Sequence, residues 1–267
     1  MTDLGATLAI TAGTTLALLL ATFALSLPLR DVSIVDIAWG LAFVDVAWVA
    51  SAVADGDGGR TALAVGLVSV WGLRLAGYIA YRKAAHPGED PRYGAMRERH
   101  GERFPRVSLF TVFLFQALVA WVVSLPLQGA AAATDPDLGP LAFAGVALWL
   151  VGFVFEAGGD LQMQRFKADP ANRGKVMDRG FWRYTRHPNY FGDFAVWWGL
   201  YLVALDGGAW WAVVGPLIMT LLLTRVSGAG LLEKSMSERP GYREYIERTS
   251  GFIPLPPKRS SARAGSG

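Results

Sequence analysis

The densest group of chemistry-bearing side chains lies in Arg179–Asp193, RGFWRYTRHPNYFGD. It gathers Arg186, His187, Asn189, Tyr190 and Asp193 where a hydrophobic stretch begins. Pro188 suits a first helical turn, because its missing N–H would have no intrahelical partner there. Asn189 and Asp193 are four residues apart, so a helix puts them on one face. A helix start flanked by Arg and His suits an anionic group such as a phosphate. The bland alternative is an interfacial cap, with Arg facing lipid headgroups and Tyr and Trp in an aromatic belt.

Further acids and bases sit inside apolar stretches, where a charge normally faces a partner or a cavity. Glu156 and Asp160 are four apart at the end of one such stretch, beside Gly158 and Gly159. They fit hydroxyl or amide recognition, or a pair reaching out to the interface. Arg74 and Tyr78 are likewise four apart, and Asp36 and Asp45 lie within one stretch. Arg74 fits either an ion pair with Asp45 or Asp36, or a cofactor contact. Arg92 and Tyr93 follow a Pro turn in a polar segment, and the run after them reads as a solvated helical face. The sequence has no Cys and three scattered His, so disulfides, thiolate chemistry and a metal site are not expected. It contains no Walker loop, GxGxxG, GxSxG or HExxH motif.

The elements that must hold these residues are hydrophobic helices. Hydrophobic residues make up 52% of the chain and charged ones 18%, a low charge for a soluble domain. A span needs about 20 mostly apolar residues. Seven stretches qualify or come close: Leu8–Leu27, Ser33–Val53, Ala62–Tyr81, Leu109–Leu127, Leu141–Gly158, Tyr190–Leu205 and Trp210–Val226. The sixth is short, and it meets the seventh across a tight Asp206-Gly-Gly turn. Segments 82–106 and 161–188 hold seven Lys or Arg each, and 225–267 holds eight. The positive-inside rule puts these three in the cytoplasm, with the N-terminus outside and Arg30 on an inside loop. Only Arg60 falls outside. The first Lys or Arg is Arg30, so no basic leader precedes the first stretch, which is expected to remain as a span. The expected organisation is all-α: a single transmembrane domain over 1–258, cofactor motifs in 140–256, and a disordered tail at 259–267.

Four segments carry a family resemblance: VDIAWG (35–40), EDPRY (89–93), RHPNYFGD (186–193) and LLEK…PGYREYIERTSGFIP (231–254). With them the chain resembles the bacterial DUF1295 proteins, which belong with steroid 5α-reductase-like membrane enzymes. Isoprenylcysteine carboxyl methyltransferases have similar C-terminal halves. The resemblance implies seven helices enclosing NADPH, with its polar end toward the cytoplasm. It implies cofactor contacts at Asn189, Asp193 and Asp160, with Glu156 nearby and Lys167 toward the phosphates. Arg74, Arg92, Tyr93, Arg186, His187, Tyr190, Arg225, Glu233 and Tyr245 complete the expected cofactor set. The family polarises a carbonyl with a Glu in span two and a Tyr in span three. Here the nearest catalytic candidates are Asp36 and Trp71, helped by Tyr78.

The implied activity is NADPH-dependent reduction of an activated C=C bond in a lipophilic enone such as a 3-oxo-Δ4 steroid. The substrate would enter sideways from the bilayer of a bacterial inner membrane, with the active site facing the cytoplasm. Membrane lipids are the other expected partners; a monomer and no nucleic acid are expected. An S-adenosylmethionine-dependent methyltransferase, with RHPNY and Glu233 around the cofactor, is the alternative enzyme. A transporter or scaffold is the alternative class.

Overall fold

A computed structural model describes residues 3–54, 56, 58–134, 137–226 and 240–258. Glu233 and the tail at 259–267 lie outside the described residues. Helices dominate, no strand forms among the described residues, and one isolated bridge joins Thr185 to Ser250. Five helical stretches are long and apolar enough to cross a membrane: Leu4–Leu29, Val32–Val53, Gly58–Ala85, Pro91–Val123 and Pro140–Ala168. The helix Pro188–Asp206 and the shorter apolar helix Trp210–Arg225 fall outside that set. Bulky apolar side chains point outward along the five, among them Leu25, Trp48, Phe110 and Phe143. A chain surrounded by water would bury such residues, whereas lipid accepts them. The protein is an integral membrane protein in these terms.

The chain divides into two compact units. The first comprises residues 1–144 and 200–215. Helix α1 (Leu4–Leu29) ends on Arg30, whose left-handed backbone (φ 50°) returns its N–H to the last turn. Asp31 then caps the next segment by accepting from the Ser33 N–H at 3.0 Å. Helices α2 (Val35–Val53) and α3 (Gly58–Ala85) cross at Gly40 and Gly72. A Cβ on Gly40 would stand 2.6 Å from the Gly72 carbonyl oxygen, so only glycine lets these backbones approach. Phe43 fills the seam beside Trp71, with ring centroids 5.6 Å apart.

Helix α4 (Pro91–His100) starts on an Asp90 cap with Pro91 in its first turn. Helix α5 (Phe104–Ser108) then runs through a π-helical turn at Leu109–Leu114 into α6 (Phe115–Val123). Helix α7 (Leu125–Ala132) follows after a break at Ser124. Its fully buried Gln128 accepts from Thr11 at 2.9 Å and donates to Ser124 and to the Trp121 carbonyl, each at 3.2 Å. Such hydrogen bonds hold helices together where hydrophobic contrast with lipid is absent.

The second unit comprises residues 145–199 and 216–267. Most of α8 (Pro140–Ala168) and α9 (Pro188–Asp206) lies in it. Gly145, Gly152 and Gly159 recur every seven residues on α8, which keeps them near one face. They meet Gly199, Gly192 and Pro188 of α9 in turn. A Cβ on Gly192 would stand 2.4 Å from the Glu156 nitrogen, and one on Gly199 2.6 Å from the Gly145 carbonyl oxygen. Helix α10 (Val214–Leu221) is bound to α9 by a Trp198–Thr220 hydrogen bond of 3.1 Å. Helix α11 (Tyr242–Arg248) closes the described chain, followed by an extended segment.

Arg60, expected on an exterior loop, is instead fully buried in the first turn of α3. Its Nη2 donates to Asp206 at 3.0 Å and to the Asp137 carbonyl at 2.6 Å, and Asp206 accepts from the Gly139 N–H at 2.8 Å. A partner 146 residues away makes that burial tolerable. Removing one member strands the other charge. Arg60→Ala should therefore lower stability by about 3–5 kcal/mol, read as a lower thermal midpoint in detergent. The double change Arg60→Met with Asp206→Leu should recover most of the loss.

Candidate functional site

In the first unit the site begins with Asp36, in the first turn of α2. Its carboxylate accepts from the Tyr93 hydroxyl at 3.1 Å and from Arg92 Nη2 at 3.3 Å. Arg92 also grips Asp90, with Nε at 2.9 Å and Nη2 at 3.2 Å. The Asp90 cap that starts α4 thus also aims the Arg92 fork. Asp36 was expected to act with Trp71 or Tyr78, but its phenolic neighbour is Tyr93, 57 residues along the chain. Trp71 is fully buried against Phe43, and Tyr78 lies under the Arg82 guanidinium. Arg74 is half-buried on α3. On α2, Asp45 is served by the Thr14 hydroxyl from α1.

A second polar group braces this one. Glu89 takes both Arg97 Nε and Nη2 at 2.8 Å, and the Val32 N–H at 2.8 Å. Lys83 pairs with Asp31 and donates to Ser33 Oγ at 2.7 Å. The Glu89 carboxyl is held below its usual range by the Arg97 hydrogen bonds, against the opposing effect of burial. Burial raises Asp31, but hydrogen bonds from Lys83 and Ser33 outweigh it and leave that carboxyl lowered as well.

In the second unit the glycine seam between α8 and α9 brings four predicted residues together. Glu156 and Asp160 are both buried on α8. Asn189 on α9 reaches Asp160 with its Nδ2 at 3.4 Å, and Asp193 follows one turn later on the same helix. The His187 ring is buried and stacks on Tyr190 at 5.3 Å. Buried carboxylates beside a carboxamide form a donor and acceptor set suited to ribose hydroxyls and an amide. These side chains fit the cofactor that the sequence implies. The seven-residue glycine spacing was the sequence signal for this juxtaposition and did not enter the sequence reading.

Other expected contacts are placed differently. Arg186 Nη1 donates to the Thr249 and Ile246 carbonyls at 2.7 and 3.1 Å, pinning the C-terminal segment. Thr185 Oγ1 donates to the Phe252 carbonyl at 2.8 Å. Tyr245 is buried and donates to the Trp182 carbonyl at 2.5 Å, and the Trp182 indole donates to the Gly159 carbonyl at 3.0 Å. Tyr245 and Arg186 therefore hold the α9 corner in place. Lys167 and Arg225 are exposed at helix ends. Gln162, which the sequence reading passed over, accepts from the Phe181 N–H at 2.9 Å and fixes the loop before the corner.

Residues 22–249 match the family described as "Protein of unknown function (DUF1295)". An "Uncharacterized protein C594.04c" of Schizosaccharomyces pombe is 25% identical over 219 residues, covering 70% of this chain and 61% of that protein. The "3-oxo-5-alpha-steroid 4-dehydrogenase 1" of Rattus norvegicus is 27% identical over 150 residues, covering 56% of this chain and 54% of that protein. The chain thus spans somewhat over half the length of these curated relatives. No solved structure matches.

The lowered carboxyls give a signed pH dependence. A carboxyl whose folded value is depressed stabilises the fold above its ordinary value and loses that contribution as pH falls through the folded one. The thermal midpoint should therefore drop as pH falls below the ordinary Glu value of 4.5. Glu89→Gln should lower the midpoint at neutral pH and flatten the acid limb. An unchanged acid limb in that variant would remove Glu89 from the account.

Proposed function

The chain belongs to the DUF1295 family, and from that premise we propose that it is a membrane-embedded, NADPH-dependent reductase of a polarised C=C bond in a lipophilic enone. The observation that carries this reading is the Tyr93 hydroxyl hydrogen-bonded to Asp36, with Arg92 on the same carboxylate. A phenol whose oxygen accepts from a protonated carboxyl can turn its own hydrogen to an oxygen on which negative charge develops. The similarity to a protein named as a steroid 4-dehydrogenase supports the same chemistry.

When bound, the cofactor supplies a hydride to the β-carbon of the enone. Tyr93 donates its hydrogen to the carbonyl oxygen as enolate charge builds there. A proton on Asp36 frees that phenolic hydrogen, because the carboxylic acid then donates to the Tyr93 oxygen. Arg92, anchored by Asp90, fixes the carboxyl that aims the phenol. Collapse of the enolate takes up a proton at the α-carbon and leaves a saturated ketone. Glu156, Asp160, Asn189 and Asp193 would hold the hydroxyl and amide groups of the cofactor, with Lys167 toward its phosphates.

Purified protein should oxidise NADPH in the presence of a 3-oxo-Δ4 steroid or simpler enone, and give the saturated ketone by mass spectrometry. Tyr93→Phe should cut turnover by about 10²–10⁴-fold and leave NADPH affinity unchanged. Asn189→Ala with Asp193→Ala should weaken NADPH binding. Co-purification of S-adenosylmethionine or its demethylated product would overturn the reductase reading.

A further inference from the structure

Within the first unit, a cavity of about 180 Å³ opens between the end of α1 and the start of α5. Its walls include Leu27, Arg30, Val32, Arg97, Phe104 and Ser108. Arg30 holds a left-handed backbone (φ 50°) and is the one non-glycine residue with positive φ among those described. Helix ends of this kind favour glycine, which has no Cβ to strain. Here the position carries a guanidinium that is exposed and makes no ion pair or hydrogen bond with the described residues. Arg97, the second cation, lies over the Phe104 ring at 4.3 Å. Its Nε and Nη2 go to Glu89, which leaves Nη1 uncommitted and the charge of Glu89 matched. The cavity therefore keeps the Arg30 charge in excess.

The position of the cavity identifies the anion. It lies where the 26-residue apolar helix α1 stops, the level at which a spanning helix meets lipid headgroups. Leu27, which lines the cavity, shares one face of α1 with Leu20 and Leu16, and all three are exposed, so an apolar track leads away from the cavity. We propose that Arg30 and Arg97 bind the headgroup phosphate of an anionic phospholipid, whose acyl chain runs along the exposed leucines of α1. The cavity volume suits a phosphodiester and its nearest carbons, with the chains remaining in the bilayer. A phosphate beside two guanidiniums gains charge-assisted hydrogen bonds of the kind Arg forms well.

The test uses the full chain in mild detergent. Native mass spectrometry and the thermal midpoint are followed as phosphatidylglycerol, phosphatidylcholine or inorganic phosphate is added. Phosphatidylglycerol should bind and raise the midpoint, while phosphatidylcholine and inorganic phosphate at the same concentration should not. Arg30→Gly should lose roughly tenfold in phosphatidylglycerol affinity, the factor carried by one contact of this type. The same variant should leave the lipid-free midpoint unchanged or higher, since glycine accepts the positive φ. Arg30→Lys should keep its affinity to within a few-fold. Inorganic phosphate binding as well as the lipid would make this a free-anion site. Equal binding of phosphatidylcholine, or full affinity in Arg30→Gly, would also overturn the assignment.

Discussion

A charged group away from water must find its counter-charge or hydrogen bonds within the protein, and that requirement organises the first unit. Arg60 is fully enclosed, yet its Nη2 reaches both the Asp206 carboxylate and the Asp137 carbonyl. Asp36 begins a span and is met by both Tyr93 and Arg92. Each pairing joins segments far apart in the chain, so satisfying the charge also fixes which helices lie side by side. Transfer of an unpaired ion into an apolar medium costs far more than any single packing contact contributes. An arrangement that gives the enclosed Arg60 and the span-end Asp36 their partners is therefore strongly preferred over alternative packings of equally greasy helices.

The second unit answers a different constraint. Two apolar helices gain little from hydrophobic burial when lipid is the alternative, so close backbone approach must supply the attraction. The glycines at 145, 152 and 159 give α8 a smooth face, and Gly192 and Gly199 give α9 another. That approach brings Asp160 within reach of Asn189. The polar cluster is thus a consequence of the packing seam, and the seam tolerates it because carboxylate and carboxamide partly satisfy each other.

Much of this could be read from the chain. Hydropathy located all five described helical stretches that are long and apolar enough to span, and the shortness of the sixth stretch and the tight Asp206-Gly-Gly turn were visible too. The Asn189–Asp193 and Glu156–Asp160 spacings placed each pair on one helical face. Partners across large sequence separations were not readable, because helical periodicity says which face a residue occupies and nothing about which helix it faces. Tyr93 was therefore assigned to the cofactor, and Trp71, buried beside Phe43, was given the role next to Asp36. Arg60 was placed in an exterior loop for the same reason: its partner lies 146 residues away.

Basic residues near RHPNY had also been counted as ligands for phosphate, and geometry divides that count. Arg186 spends Nη1 on two backbone carbonyls of the C-terminal segment, and the adjacent Thr185 hydroxyl binds a third. Helix and turn carbonyls left at a chain reversal need donors, and a guanidinium satisfies two at once. The charge of Arg186 still contributes to the local potential, but its forked hydrogen bonds are directed at the protein. The α9 corner therefore owes its rigidity to Arg186 and Tyr245. Lys167, by contrast, is exposed at the end of α8. Two jobs that sequence alone merges are thus separated: Arg186 holds the shape of the corner, while the exposed Lys167 keeps its charge at the surface.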